Sequence, residues 1–93
     1  MTRFALAPAA SRLEPLGEHV LVFDESSWDT HVLNEAAGAL LLAIAEAPRA
    51  MGELVALLHE LLNDAERDHA ESHARSTVGR LQSLGLIIRE TRL

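Results

Sequence analysis

The chain has no cysteine, no lysine and no tyrosine among its 93 residues. Without cysteine it can form no disulfide framework and can offer no thiolate nucleophile or thiolate metal ligand. Its aromatic residues are Phe4, Phe23 and Trp28, so the core must be built from Leu, Ala, Val and Ile. Apolar residues still make up 48% of the chain, which is enough to fold a single small domain.

Positive charge is scarce as well. The eight basic residues are all arginines, spread from Arg3 to Arg92, and the formal net charge is −6. Proteins that bind nucleic acid concentrate basic side chains to neutralise phosphates, and this sequence contains no such cluster. The charge balance therefore argues against nucleic acid and anionic membranes as partners.

Long apolar runs are also missing, because no segment approaches the roughly 18 consecutive apolar residues of a membrane span. The opening stretch "MTRFALAPAA" has one arginine before a short apolar run that Pro8 interrupts. We therefore expect residues 1–10 to be a loose or strand-like N-terminal arm rather than an export signal. Together with the absence of cysteine, this favours a cytoplasmic protein in which residues 1–93 form one domain.

Three short strands are predicted in the first third of the chain. The first covers about residues 11–16, and a tight turn at Gly17 leads to the second, at about residues 18–24. The stretch "DESS" predicts the next turn, since Asp and Ser side chains can bond to their own backbone. The third strand spans residues 28–33. A sheet of three antiparallel strands is expected to hold only if a helix covers one face.

Three helices are predicted after the strands from the spacing of apolar residues. The first begins after an N-cap at Asn34 and ends at Pro48, and the second covers about residues 50–62. The third covers about residues 64–84, with capping-box spacing between Asn63 and Glu66. The final stretch "LIIRETRL" predicts a last extended segment.

The apolar stripes of these helices predict one hydrophobic core, to which the sheet contributes Leu21 or Phe23. Its helical members are Leu40, Leu41, Ile44, Leu54, Leu57, Leu58, Val78, Leu81 and Leu84. The predicted fold class is therefore α+β: a small three-stranded antiparallel sheet followed by a three-helix winged-helix bundle and a short terminal strand.

Winged-helix domains often bind DNA through their third helix. In this chain that helix carries Glu66, Asp68 and Glu71 against Arg67, Arg75 and Arg80. Such a helix would meet phosphate with about as much repulsion as attraction, so DNA regulation is an alternative rather than the preferred interpretation.

Two stretches, "VLVFDESSWDTHVLNEAAGALLLAIAEAP" and "LGLI", resemble the PqqD family of small peptide chaperones. More narrowly, they are similar to the subgroup associated with an HPr-kinase-like protein. The resemblance covers about residues 13–88. Two departures stand out: Trp28 occupies a position where a small turn residue, often Gly, is expected, and Leu13, Pro15 and Leu16 replace aromatic residues in the first strand.

The resemblance implies a non-catalytic recognition element, without a cofactor, for ribosomally made and modified peptides. Such a protein binds the leader of a precursor peptide as an added strand and presents it to a modifying enzyme or an HPr-kinase-like protein. The peptide would lie between the third strand and the third helix. The candidate peptide-binding residues are Trp28, Asp29, Thr30, His31, Val32, Leu33, Ala70, His73, Ala74, Thr77 and Arg80.

Several alternatives stay open at the level of sequence. A structural subunit of a larger enzyme complex is one, and a homodimer through the unprotected strand edge is another. Trp28 could cap the small core instead of contacting a peptide, and His31 is expected to be half-buried and bonded to backbone. His69 and His73 have a spacing that could hold a metal, but their charged neighbours favour a solvated helix face. No catalytic arrangement is evident, so we expect no enzyme activity.

Overall fold

A computed structural model of the protein describes residues 2–62 and 67–91. Its elements are β1 (Thr2–Leu6), β2 (Ala10–Leu16), β3 (His19–Asp24), β4 (Asp29–Leu33), α1 (Glu35–Glu46), α2 (Met51–Leu61), a short 3-10 turn (Arg67–His69), α3 (Ala70–Ser83) and β5 (Ile87–Thr91). The predicted fold class is confirmed, with a three-stranded antiparallel sheet, three helices and a short terminal strand. The predicted capping residues Asn63 and Glu66 lie outside the described residues.

Strands β2, β3 and β4 form the three-stranded sheet in that order. A two-residue turn joins β2 to β3, with Gly17 at φ 62° and Leu16 opposite His19. Glycine at the first central position, followed by a residue of negative φ, is typical of a type II′ turn, which suits the twist of a hairpin.

The turn between β3 and β4 is held by Asp24 at the end of β3. Its carboxylate accepts hydrogen bonds from the Ser26 backbone N–H at 2.9 Å and from the Ser26 hydroxyl at 2.7 Å. Its carbonyl oxygen accepts a bond from the Trp28 N–H at 2.8 Å. The prediction that this turn is stabilised by its own side chains is confirmed.

The N-terminal arm is a regular strand, which the sequence left undecided. Strand β1 pairs antiparallel with β5, with Phe4 opposite Arg89, and forms a second, two-stranded sheet. The Phe4 side chain is buried, and its backbone exchanges two hydrogen bonds with Arg49 in the connection between α1 and α2. The two ends of the described chain are therefore tied to each other and to the helices.

Helix α1 begins after Asn34, whose side chain accepts a hydrogen bond from the Ala37 N–H at 2.9 Å, as predicted for an N-cap. The helix lies directly on β3, because Gly38 leaves no side chain between them. A Cβ atom at Gly38 would stand 2.6 Å from Cγ2 of Val20. Close contact between this helix and this strand positions the sheet relative to the helical layer.

The hydrophobic core lies between the three-stranded sheet and the helices. Seven of the nine predicted helical members are fully buried, while Leu57 and Leu84 are only partly buried against the core. The sheet contribution was predicted wrongly: Val20 and Val22 face the core, and Leu21 and Phe23 are only half-buried. Side chains alternate along a strand, and in "VLVF" both alternations are apolar, so the pattern does not identify the inner face.

Candidate functional site

Strand β4 is an edge strand, since it pairs with β3 on one side only within the sheets of residues 2–62 and 67–91. It contains no lysine and no proline, the residues that commonly protect an edge from pairing. Trp28 comes directly before it, and the other five predicted strand residues of the site, Asp29 to Leu33, make up the whole strand. Five of the six candidate residues from this part of the sequence therefore lie on one edge strand, and Trp28 lies in the turn beside it.

The direction of the backbone groups on β3 follows from the hairpin on its other side. A two-residue hairpin turn is closed by a hydrogen-bonded pair, here Leu16 and His19. Hydrogen-bonding direction alternates along a strand, so His19, Leu21 and Phe23 direct their N–H and C=O groups toward β2.

Two further observations agree with this alternation. Pro15, which has no N–H, lies opposite Val20, as suits a pair that exchanges no hydrogen bonds. The Glu25 N–H donates to the Ala9 carbonyl at 2.9 Å, on the β2 side, as the same parity requires. Val20, Val22 and Asp24 therefore direct their backbone groups toward β4.

The outward-facing groups of β4 can now be assigned. Leu33, His31 and Asp29 lie opposite Val20, Val22 and Asp24, and so they bond inward to β3. The two residues between them, Thr30 and Val32, direct their N–H and C=O groups to the open edge. An added strand would pair with these two residues, a choice that the sequence did not determine.

The side chains of β4 also alternate, and they divide into an inner and an outer set. Leu33 is buried and His31 is half-buried on the helical side, whereas Thr30 and Val32 are exposed on the outer face. On that face they lie opposite Phe23 and Leu21. The outer face therefore carries accessible apolar surface beside the open edge.

His31 and Asp24 form a polar pair on the helical side of the sheet, near the turn between β3 and β4. The Nε2 atom of His31 lies 4.0 Å from Oδ2 of Asp24, whose side chain is buried. Hydrogen bonding from the Ser26 hydroxyl lowers the pKa of Asp24 below its usual value, outweighing the opposite effect of burial. The half-buried position predicted for His31 is confirmed, and its neighbour is a carboxylate rather than the expected backbone group.

Trp28 is the most exposed large apolar residue described, with 89% of its surface accessible. The interpretation that it caps the core is therefore wrong. Its φ of 60° lies in the left-handed region, where a side chain costs about 1–2 kcal/mol relative to glycine. Trp28, Arg12 and Phe23 line a small cavity of about 240 Å³ at the tip of the hairpin. Beside it, the Arg12 guanidinium makes a cation–π contact with Phe23, 5.6 Å from the ring centre.

The candidate residues on α3 differ in their accessibility. Ala70 and Ala74 are 2% and 0% exposed, so they belong to the core and offer no surface to a peptide. Thr77 is also buried, at 8%. His73 is half-buried and Arg80 is exposed. The two alanines were predicted wrongly as peptide-binding residues, since their spacing belongs to the stripe of α3 that faces the interior.

Sequence reasoning missed a groove between α1 and α2, with a volume of about 600 Å³. A signal for it exists in the sequence as a second stripe on each helix. On α1, Ala39, Leu42, Ala43 and Glu46 follow the i, i+3, i+4, i+7 spacing beside the core stripe. Three of these four positions are apolar, so the stripe by itself does not distinguish a buried helix face from the wall of an open groove.

No helix among the described residues is both long and apolar enough to cross a membrane.

The chain was compared with curated proteins, solved structures and models of protein families. Neither the curated proteins nor the solved structures compared with the chain contain a match. The family model described as "Coenzyme PQQ synthesis protein D (PqqD)" matches residues 18–87. That segment begins just before β3, contains β4 and all three helices, and ends at the first residue of β5. Because the match spans 70 of the 93 residues, the chain belongs to the PqqD family.

Proposed function

We propose that this protein is a non-catalytic accessory protein of a biosynthetic pathway, acting in the cytoplasm. In this proposal it binds the leader of a ribosomally made precursor peptide and presents it to a modifying enzyme. Membership of the PqqD family supports the biosynthetic role. The observation that carries the binding mode is the open edge of β4, with the backbone groups of Thr30 and Val32 directed outward.

Binding would proceed by β-strand addition. The peptide's N–H and C=O groups pair with those of Thr30 and Val32, which supplies affinity independent of the peptide's side chains. Alternate side chains of the peptide supply specificity, because they project to opposite faces of the extended sheet. One set would meet the outer face beside Val32, and the other would meet the helical layer, where His73 and Arg80 are the accessible candidates on α3.

A narrower proposal concerns the partner enzyme. The strand, turn and "DTH-L" pattern before α1 is similar to that of the subgroup associated with an HPr-kinase-like protein. An HPr-kinase-like partner is therefore the first protein to test for complex formation with this chain.

Proline substitution along β4 tests the binding mode. Thr30→Pro removes an outward N–H, so the sheet should keep its ladder while the added strand loses a bond and meets the proline ring. His31→Pro removes an inward N–H and should destabilise the hairpin itself. We expect Thr30→Pro to melt close to the parent and to bind the leader of the precursor peptide at least about tenfold more weakly. Isothermal calorimetry measures the affinity.

The control for this experiment is Thr30→Ala, which keeps the backbone N–H and should bind nearly as well as the parent. A second test variant, Val32→Pro, removes the N–H at the other outward position. If both outward proline variants stay folded and bind the precursor like the parent, peptide addition at β4 is excluded.

A further inference from the structure

Helices α1 and α2 form the two walls of an open groove of about 600 Å³. The connection between the helices contributes Arg49 at one end. The groove is lined by Ala39, Leu42, Ala43, Glu46, Arg49, Glu53, Leu54, Ala56, Leu57, Glu60 and Leu61. None of these residues belongs to the strand edge at β4, so the two surfaces could be occupied together.

The interior of the groove is apolar and accessible. Leu61 is 44% exposed, and Leu42 and Leu57 are only partly buried although they pack against the core. The side chains of Ala39 and Ala43 are small, so an occupant of the groove could approach the backbone of α1 closely. A partner that covered these leucines would remove apolar surface from water, which favours association.

The rim of the groove is acidic. It carries the carboxylates of Glu46, Glu53 and Glu60 and the guanidinium of Arg49, a formal charge of −2 from three negative groups and one positive. The Arg49 charge is already engaged, because its nitrogens lie 3.2 Å from a Glu46 oxygen and 3.7 Å from a Glu53 oxygen. A cationic partner would therefore be attracted to the rim, and an anionic membrane surface would be repelled.

We propose that this groove binds an amphipathic helix of another protein, with its apolar face on the leucines and Lys or Arg side chains beside the three carboxylates. Each wall is a helical stripe of about eight residues, or about 12 Å, which matches two turns of a guest helix. A third helix can pack between two neighbouring helices by ridges and grooves, and helix-in-groove recognition uses this geometry. Helix binding at this groove does not depend on whether β4 binds a peptide.

Two synthetic helical peptides test the proposal against the full chain. Both carry the same Leu and Ala face, and they differ only in having Lys and Arg or Glu on the flanks. Fluorescence anisotropy should detect the basic helix and not the acidic one. Amide chemical-shift changes on the labelled protein should map to α1 and α2.

Matched charge variants separate the groove from general attraction to an acidic protein. Glu53→Gln with Glu60→Gln should weaken binding of the basic helix by roughly fivefold. Glutamine at position 53 can still accept the Ala50 N–H bond that the glutamate accepts at 3.1 Å. Glu14→Gln with Glu18→Gln, at exposed positions of the β2–β3 hairpin, makes the same change in net charge and should have little effect.

Four results would overturn the proposal. They are absence of binding by the basic helix at millimolar concentration, equal binding by the acidic helix, equal weakening by the two Glu→Gln pairs, and shift changes centred on β4. A steric variant, Ala39→Arg, gives an independent check, since it should fill the groove and abolish binding. If it unfolds the protein in a thermal melt, the Glu→Gln pairs still decide the question.

Discussion

Gly38 is the position where helix α1 comes closest to the sheet. A Cβ atom there would lie 2.6 Å from Cγ2 and 3.1 Å from Cβ of Val20, a β-branched side chain with little freedom to turn away. We expect Gly38→Ala to lower the free energy of unfolding by about 1–3 kcal/mol through overpacking. Urea denaturation measures this change.

Gly79 provides the matched control for Gly38. It also lies in a helix, but a Cβ atom added there would meet nothing within 4 Å. Gly79→Ala should therefore raise the free energy of unfolding by up to about 1 kcal/mol, because alanine loses less backbone entropy than glycine in a helix. Equal effects of the two substitutions would contradict the close contact between α1 and β3.

Trp28 combines exposure with an unfavourable backbone conformation, which suggests that folding does not require its side chain. Asn tolerates positive φ and forms turns, so Trp28→Asn should leave the free energy of unfolding unchanged or raise it by up to about 1 kcal/mol. If Trp28 anchors the bound peptide, the same variant should bind about tenfold more weakly or worse. Thermal melting and calorimetry measure the two effects. A lower melting temperature would show a structural role, and unchanged affinity would remove Trp28 from the binding site.

In the proposed binding mode, the element with the most consequence is β4. An edge strand without lysine or proline is poorly protected from pairing with another strand, and that strand can belong to a second copy of the chain. We expect concentration-dependent association in the absence of peptide, with β4 as the interface. Val32→Lys should reduce it, because a charged side chain beside the open edge disfavours pairing.

Light scattering over a range of concentrations checks this prediction. Leu16→Lys is the control: Leu16 is as exposed as Val32, at 64% against 60%, but it lies at the hairpin end of β2. If Leu16→Lys suppresses association as strongly as Val32→Lys, the outer face rather than the β4 edge joins the copies. A parent protein that stays monomeric at high concentration would exclude self-pairing altogether.

At the scale of the whole molecule, a single core holds the sheet and the helices together, and its members are not equivalent. Leu41 is 0% exposed, whereas Leu57 is only partly buried, on the groove side of α2. Leu41→Ala should cost about 2–5 kcal/mol of unfolding free energy, enough to unfold a domain of this size. Leu57→Ala should cost clearly less, since part of that side chain already meets solvent. Thermal or urea denaturation compares the two, and equal losses would place Leu57 in the core after all.

Much of the fold was predictable because its signals are local. Asn34 caps α1 through a bond to a residue three positions away, and Asp24 closes its turn through Ser26, two positions away. Such contacts depend on neighbours along the chain, which the sequence displays directly. The site was predictable only in part: residues 29–33 do form an edge strand, but Trp28 lies in the turn before it, and Ala70 and Ala74 are buried. Small residues can serve as the floor of a cleft or as close core packing, and their spacing alone does not distinguish these roles.

By itself, the sequence determined the order of the elements from β2 to β5, the leucine-rich helical part of the core and the absence of thiolate chemistry. These properties follow from residue types and from periodicities of two and 3.6, which are short in range. Only the tertiary structure decided that β1 pairs with β5 and that Val20 and Val22 face the helices. It also decided that the backbone groups of Thr30 and Val32 face the open edge, and that α1 and α2 form the walls of an open groove. Each of these features depends on strand register or on contacts between residues far apart in the chain. The pattern of residue types along a single strand or helix gives no information about either.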